Sequence, residues 1–181
     1  MQTPMTHQDQ LQILTVPHPV LRKKAERITE ADYKTVSQIL PSMFSSMYQA
    51  QGIGLAAPQV GISLRFFVID LMRDDTADPR IFINPEIISF SEEINSHREG
   101  CLSIPDQFEE VTRPAAIKVR FQDEKFNLQE LEADGLLATC IQHELDHLDG
   151  ILFIDHISKL KRDMIMKKMQ KRKKLLSSSA A

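Results

Sequence analysis

The sequence predicts an α+β fold in which small, mainly antiparallel sheets pack around one buried helix. Three observations support this prediction: short apolar runs broken by turn residues, the lack of regular helices between those runs, and one segment at residues 136–148 that is apolar on nearly all sides. A parallel sheet would need a crossover helix between consecutive strands. We therefore expect antiparallel strands and a central position for the apolar helix.

The length and composition indicate one ordinary globular domain. The chain has 181 residues, of which 42% are hydrophobic and 26% are charged, which excludes wholesale disorder. No apolar run approaches the ~18 residues of a membrane span, and residues 1–7 show no secretory leader. Two cysteines are too few for a disulfide framework. We expect one domain at residues 1–176, a disordered tail at 177–181 and a cytoplasmic location.

The first predicted element is a helix that begins near Thr29 and Asp32, which can cap its first turn. Its apolar positions follow helical spacing: Ile39, Leu40, Met43 and Met47. Pro41 lies inside this pattern, and an interior proline costs about 3 kcal/mol. We therefore expect the helix to kink or to split in two.

Short strand patterns follow the glycine-rich segment at residues 52–61. Turn residues separate them, and they lie at 64–70, 81–83, 86–90, 117–121 and 127–132. The central helix then begins near Asp134 and Gly135, and Gly150 suits its C-terminal end. A last helix, capped by Asp155 or Ser158, is expected to end at residue 176.

This last helix is strongly basic. Residues 159–174 contain nine lysines and arginines against one acid, although the net charge of the whole chain is −3. A basic helix on an acidic body indicates either contact with a polyanion or a solvated helix face.

The central helix contains the sequence His143-Glu144-Leu145-Asp146-His147. Histidines four residues apart lie on one helical face, about 6 Å apart along the axis, so both imidazoles can bind one metal ion. Glu144 is placed to take a proton from water at that ion. Because buried polar groups need partners, a metal site is favoured over two incidental histidines.

At least one further ligand must come from elsewhere in the chain. A metzincin would have a histidine where this sequence has Phe153, and neither Asp155 nor Asp163 is an attractive carboxylate ligand. Cys140 is seven residues from His147, a helical rise of roughly 10 Å, so it is better explained as a small buried apolar residue.

Cys101 is the favoured third ligand. Gly100 before it and Pro105 after it indicate a tight, fixed turn. A thiolate on this turn completes a Cys-His-His set and leaves one position for water.

Three segments carry a family resemblance: residues 52–61 (GIGLAAPQVG), 99–103 (EGCLS) and 142–147 (QHELDH). In this order and spacing they resemble the signature motifs of the bacterial peptide deformylase family, and the resemblance extends over residues 11–176. It implies a cytoplasmic hydrolase that removes the N-formyl group from the formyl-methionine of newly made polypeptides and releases formate.

The resemblance also implies a role for each motif residue. One divalent ion would be held by three ligands: Cys101, His143 and His147. This ion is usually Fe(II) in the family, and nickel, cobalt or zinc can replace it, although the ligand types alone would favour zinc. Glu144 would serve as general base and then acid. The ion, the Gln59 side-chain amide and the Leu102 backbone N–H would meet the charge on the formyl oxygen.

The substrate would pair with residues 52–54 as an added strand, which assigns Gly52, Ile53 and Gly54 to substrate binding. Five residues would line a pocket for the methionine side chain: Ile53, Glu99, Leu136, Cys140 and His143. Two others, His97 and Thr139, would lie near this pocket. His97 and Thr139 are more polar than such a pocket requires. Phe108 stands where relatives often have arginine, and Arg113 is expected to pair with Glu99.

Partners follow from the same resemblance. The basic helix of bacterial relatives docks on the ribosome, so residues 159–174 are expected to bind it in a salt-sensitive manner, and no membrane or DNA partner is expected. Two other functions compete. A zinc endopeptidase could use the same helix, but Gln59 and the Cys101 ligand argue against it. A nucleic-acid-binding module with a structural metal would need four protein ligands.

Overall fold

The computed structural model describes residues 10–180, so residues 1–7, where no secretory leader is expected, and Ala181 of the expected tail lie outside it. Three helices and seven strands follow one another within residues 10–180. The helices are Tyr33–Gln49 (α1), Gly135–Leu148 (α2) and Lys159–Ser179 (α3). The strands are Gly54–Ala56 (β1), Phe66–Ile69 (β2), Arg80–Phe90 (β3), Ile94–Cys101 (β4), Ile104–Pro114 (β5), Ala116–Gln122 (β6) and Leu128–Asp134 (β7).

The strands form two antiparallel sheets, which confirms the α+β prediction. Five of them pair in the order β1-β2-β3-β6-β7, and β4 pairs with β5 as a separate hairpin. Strand β1 lies at an edge of the larger sheet, so one side of its backbone has no neighbouring strand within that sheet.

Two predicted strands, at residues 81–83 and 86–90, are one continuous strand, β3. Its register with β6 shifts between Ile83 and Glu86, and this bulge carries the strand past Asn84 and Pro85. The Asn84 side chain accepts from the Ile28 N–H and donates to the Ile28 carbonyl, which stabilises the bulge.

Strands β1, β4 and β5 were not predicted. Much of the β4–β5 hairpin is exposed and carries charged or polar residues, so it lacks the apolar alternation that marks a strand in sequence.

Pro41 does not split α1, which runs unbroken from Tyr33 to Gln49. Of the two expected outcomes, a kink or a split, the split was wrong. Pro41 and Ser37 both lie exposed, so water can bond the Ser37 carbonyl that proline leaves without a backbone donor. Thr29 and Asp32 cap the preceding 3-10 turn, where the Thr29 N–H donates to Asp32 Oδ2 at 2.8 Å.

Helix α2 is central, as predicted, and is buried from Ala138 to Glu144 and again at His147 and Leu148. It packs against the larger sheet, and Gly150 ends it with a positive φ of 73°. A Cβ on Gly150 would lie 2.5 Å from the Arg22 carbonyl oxygen, so only glycine fits this turn.

Ser158 caps α3 by accepting from the Lys161 N–H, which confirms one of the two predicted caps. Asp155 instead accepts from Leu152 N–H in the preceding 3-10 turn. Ile165 and Met169 lie on the inner face of α3 and are buried in the core.

The end of α3 differs from its predicted end at residue 176. It continues to Ser179, through residues expected to be disordered, and the last serines donate their hydroxyls to carbonyls of the preceding turn. Within residues 10–180, no helix has the length and apolar character needed to cross a membrane.

Candidate metal centre

Cys101, His143 and His147 come together as predicted. Their candidate donor atoms all lie within 4.8 Å of one another, and Cys101 Sγ is 3.2 Å from His147 Nε2. Helix α2 presents both histidines on one face, one turn apart. Cys101 is the last residue of β4 and pairs with Ile104 across a two-residue turn, so the predicted tight turn is confirmed.

The orientation of His143 is fixed by Glu99. His143 Nδ1 is 2.9 Å from Glu99 Oε2, so a proton on Nδ1 leaves Nε2 available to a metal. Arg113 donates to both Glu99 oxygens, at 2.6 and 3.0 Å. Burial would raise the pKa of Glu99, but the hydrogen bonds from His143 and Arg113 outweigh burial and lower the pKa to about 2. The expected Arg113–Glu99 pair is therefore present, and it holds the candidate metal ligand His143.

Glu144 lies beside this set and is only 5% exposed. Its Oε2 has no hydrogen-bond partner among the described residues. Burial raises the pKa of Glu144 to about 7. The charge of His143 opposes this shift, and the charge of Glu99 adds to it. An unpaired carboxylate oxygen next to three metal-ligating atoms can accept a proton from a molecule bound there.

The side-chain amide of Gln59 is held with its NH2 group towards the cluster. Gln59 Oε1 accepts from the Ala56 N–H at 2.9 Å, while Nε2 donates to Ser103 Oγ at 3.1 Å and lies 3.5 Å from Cys101 Sγ. Leu102, the other predicted oxyanion residue, follows Cys101 directly in the same turn. Ser103 was not singled out from the sequence, because only the folded turn brings its hydroxyl to Gln59.

The residues present fit a metal ion. One thiol and two imidazoles are ligands that transition metals prefer, and three protein ligands leave a position for water or substrate. Burial lowers the pKa of His147 well below its ordinary value, which keeps the imidazole neutral as a ligand must be. Burial alone would lower the pKa of His143 too, but its hydrogen bonds to Cys101 and Glu99 raise the pKa.

The residues disfavoured as metal ligands do not join the Cys101, His143 and His147 cluster in the part of the chain that the structure describes. Cys140 is buried in the core around α2, and burial raises the pKa of its thiol to about 12, so it remains neutral. Asp155 pairs with Arg22 on the surface.

The predicted substrate residues line the edge of the larger sheet and the start of α2. Gly54 begins the edge strand β1, and the carbonyl of exposed Ile53 accepts from the Asp70 N–H at 2.9 Å. Gly52 precedes them, close to the Leu102 side chain. Leu136 is 41% exposed at the N-terminal end of α2.

His97 lies on β4, two residues before Glu99, and Thr139 is buried on α2, four residues before His143. Positions 97, 99 and 101 share one face of β4, and on this face Cys101 contacts His147 and Glu99 contacts His143. His97 Nε2 is buried without a hydrogen-bond partner among the described residues.

Phe108 does not take up a polar role. Its ring covers Gly100, its cross-strand partner, and the Arg98 guanidinium lies 5.1 Å from the ring centre.

Asp146 and Phe153 also support the site, and sequence reasoning missed both. Asp146 Oδ2 accepts from Arg113 Nη1 at 2.8 Å, and the Phe153 ring stacks on His143 with centroids 6.3 Å apart. Asp146 lies inside the histidine motif, three residues after His143, so its position was a usable signal. Its partner on β5 was not visible in sequence.

Comparisons with known proteins identify the family of this chain. The family profile described as polypeptide deformylase matches residues 10–163. A peptide deformylase from Mesorhizobium japonicum is 51% identical over 160 residues, which are 88% of this chain and 90% of that protein. One from Zymomonas mobilis is 49% identical over 174 residues, 93% of this chain and 98% of the relative.

Solved structures give the same result. A peptide deformylase from Legionella pneumophila superposes with a TM-score of 0.85 at 40% identity, covering 93% of this chain and 98% of the other. One from Synechococcus elongatus, in complex with actinonin, has a TM-score of 0.84 at 41% identity. This match covers 91% of this chain and 90% of the other.

Proposed function

The chain belongs to the polypeptide deformylase family, hydrolases that remove the N-formyl group from new polypeptides, and we propose which of its residues perform each part of that reaction. The observation that carries the proposal is the closeness of a Cys-His-His donor set to the unpaired carboxylate of Glu144. We take residues 1–176 as the catalytic domain, with α3 as part of it.

One divalent ion would be bound by Cys101 Sγ and the Nε2 atoms of His143 and His147. We propose Fe(II) as the ion in the cell, with nickel, cobalt or zinc as substitutes, because a thiolate and two imidazoles suit all of these metals. When bound, the ion would polarise the formyl carbonyl and lower the pKa of water at the open position.

Glu144 would hold the proton during the reaction. Its unpaired Oε2 can accept a proton from the attacking water and return it to the nitrogen of the departing amine. The free amine and formate are then the two products.

Gln59 and Leu102 would stabilise the negative charge on the formyl oxygen. The amide of Gln59 is already oriented by Ala56 and Ser103, so little rotational freedom is lost when it donates. One such oriented donor contributes about 3 to 4 kcal/mol in the transition state. The backbone N–H of Leu102 would be the second donor.

The substrate would add a strand to the free edge of β1. Gly52, Ile53 and Gly54 would supply the backbone groups, and the first side chain would lie towards Leu136 and Cys140 on α2. Glu99 would border this pocket, but its main role would be to orient His143 together with Arg113.

The exposed face of α3 would bind the ribosome. Lys167, Lys171 and Lys174 are exposed on this helix, and none makes an ion pair with another described residue. Phosphate groups would replace their counterions, which makes the contact salt-sensitive. Since the substrates are nascent chains, we propose that the protein acts in the cytoplasm.

The decisive experiment is formate release from formyl-Met-Ala-Ser by anaerobically purified protein. Wild type and Glu144→Gln would be compared, with the metal content of both samples determined. We expect rapid release by wild type and a loss of about 10³-fold in the variant at equal metal content. No release by an iron-loaded or nickel-loaded wild type would contradict the function, and full activity of Glu144→Gln would contradict the role of Glu144.

A further inference from the structure

Arg113 joins two carboxylates, and each carboxylate also contacts a histidine. Arg113 Nε and Nη2 donate to Glu99 at 2.6 and 3.0 Å, and Nη1 donates to Asp146 Oδ2 at 2.8 Å. On one side, Glu99 Oε2 lies 2.9 Å from His143 Nδ1. On the other, Asp146 Oδ2 lies 2.8 Å from His156 Nε2. A continuous chain of hydrogen bonds therefore runs from His143 to His156.

The solvent exposure of the side chains rises along this series of hydrogen bonds towards His156. The side chains of Arg113, Asp146 and His156 are 6%, 17% and 34% exposed. Buried Arg113 depends on Asp146 to pair its Nη1, because an unpaired buried guanidinium nitrogen is costly. Among the described residues, Asp146 has no side-chain donor other than Arg113 and His156. His156 is therefore the outer contact that fixes the Asp146 rotamer.

The 3-10 turn that contains His156 also contacts His143 directly, through Phe153. Phe153 and His156 lie at the two ends of one 3-10 turn, Phe153–His156. The Phe153 ring stacks on the His143 imidazole at an interplanar angle of 22°. The contact between His156 and Asp146 ties this turn to α2, so it also keeps Phe153 against His143.

We propose that His156 is a positioning residue of the metal centre, acting through Asp146, Arg113 and Glu99 to fix the orientation of the His143 imidazole. In the neutral tautomer with a proton on Nε2, His156 donates to Asp146, which needs no change of charge. The proposal rests on the metal set proposed above. It assigns a role to a partly exposed histidine that lies outside the three sequence motifs.

A purely structural role for His156 would consist of anchoring the 3-10 turn. The same turn has an independent anchor, because Arg22 pairs with Asp155 and Asp155 accepts from the Leu152 N–H. Arg22→Leu removes this anchor without touching Asp146. It is therefore the matched control for a loosened turn.

The test uses the full chain loaded with Co(II), whose visible absorption reports ligand geometry. Spectra and rates of cobalt loss to excess chelator would be measured for wild type, His156→Leu, His156→Gln and Arg22→Leu. We expect His156→Leu to lose cobalt about three- to tenfold faster, with a shifted spectrum. His156→Gln should stay within about twofold of wild type, because its amide Nε2 can donate to Asp146. Arg22→Leu should lower thermal stability and leave the rate and spectrum unchanged.

Three results would overturn the proposal. One is cobalt loss and a spectrum for His156→Leu equal to those of wild type. Another is an equal change in His156→Leu and Arg22→Leu, which would show that the turn alone matters. The third is a wild-type chain that binds no cobalt, which would reject the Cys-His-His set itself. Cobalt binding that is the same in all four proteins would reject only the role of His156.

Discussion

Gly54 lies directly against the carboxylate of Glu144. A Cβ placed on Gly54 would be 2.5 Å from Glu144 Oε1 and 3.0 Å from its carboxyl carbon. Strand β1 can therefore approach the proposed proton carrier only because this residue has no side chain. The closeness also explains how one short strand could bind substrate beside the group that moves the proton.

Replacement of Gly54 by alanine should displace the Glu144 carboxylate and lower turnover. We expect kcat to fall about 10- to 100-fold, because sub-ångström misplacement of a catalytic group is costly. Metal content should stay at the wild-type level. The double variant Gly54→Ala/Glu144→Asp should be less impaired than the product of the two single effects, since the shorter acid makes room. Strictly multiplicative losses would contradict the steric explanation.

Arg113→Lys should weaken metal binding. Lysine cannot donate to Glu99 and Asp146 in the forked geometry of the guanidinium, so the His143 orientation would relax. We expect metal affinity to fall about 10- to 100-fold in a competition assay with a chelator. Arg120→Lys, on an exposed pair with Glu130, is the control and should have no effect. Unchanged metal affinity and turnover in Arg113→Lys would show that the network does not support the metal ligand.

His97 and Thr139, which the family resemblance places near the methionine pocket, should influence which first residue the enzyme prefers. Both side chains are more polar than a pocket for methionine alone requires. The double variant His97→Ile/Thr139→Ile should raise the kcat/KM ratio of formyl-methionine over formyl-methionine-sulfoxide peptides by about tenfold. Thr112→Val, on the opposite face of the hairpin, should leave the ratio unchanged. An unaltered ratio in the double variant would mean that these residues do not contact the first side chain.

Ribosome binding should depend on the exposed lysines of α3. Truncation after Ser158 would also remove Ile165 and Met169 from the core, so charge reversal is the cleaner change. Lys167→Glu/Lys171→Glu/Lys174→Glu should abolish co-sedimentation with ribosomes at moderate salt and leave deformylation of short peptides intact. The control carries the same charge change at exposed Lys23, Lys34 and Lys125. Equal loss in both variants would indicate a general effect of charge.

The stability contributed by Asp70 should disappear in acid. Burial would raise the pKa of Asp70, but hydrogen bonds from Tyr48 and from the backbone N–H groups of Asp78 and Met72 outweigh it and lower the pKa below 3.8. A carboxyl with a depressed folded-state pKa stabilises the fold above its unfolded pKa and loses this contribution as the pH falls through the folded value. The free energy of unfolding of Asp70→Asn should therefore be about 2 kcal/mol lower than that of wild type at pH 7. This difference should shrink below pH 4. A difference that is constant from pH 7 to pH 3 would contradict this.

The local features of this protein were readable from its sequence. Helix caps, the glycine that ends α2 and the two-histidine face depend on residues within a few positions of one another. The metal set needed one additional choice between two cysteines. The helical rise between Cys140 and His147 disfavoured Cys140 as a ligand of one tetrahedral ion, and the tight turn around Cys101 favoured that cysteine.

The tertiary structure decided the rest, because those features depend on partners far apart in the chain. Glu99, expected to line a substrate pocket and to pair with Arg113, also binds His143, which lies 44 residues away. The β4–β5 hairpin lacks an apolar signature because its exposed face is polar, so only its pairing and its packing against α2 define it. Hydrogen bonds from His156 through Arg113 to His143 likewise join separate elements, and no local spacing of residues specifies that they meet.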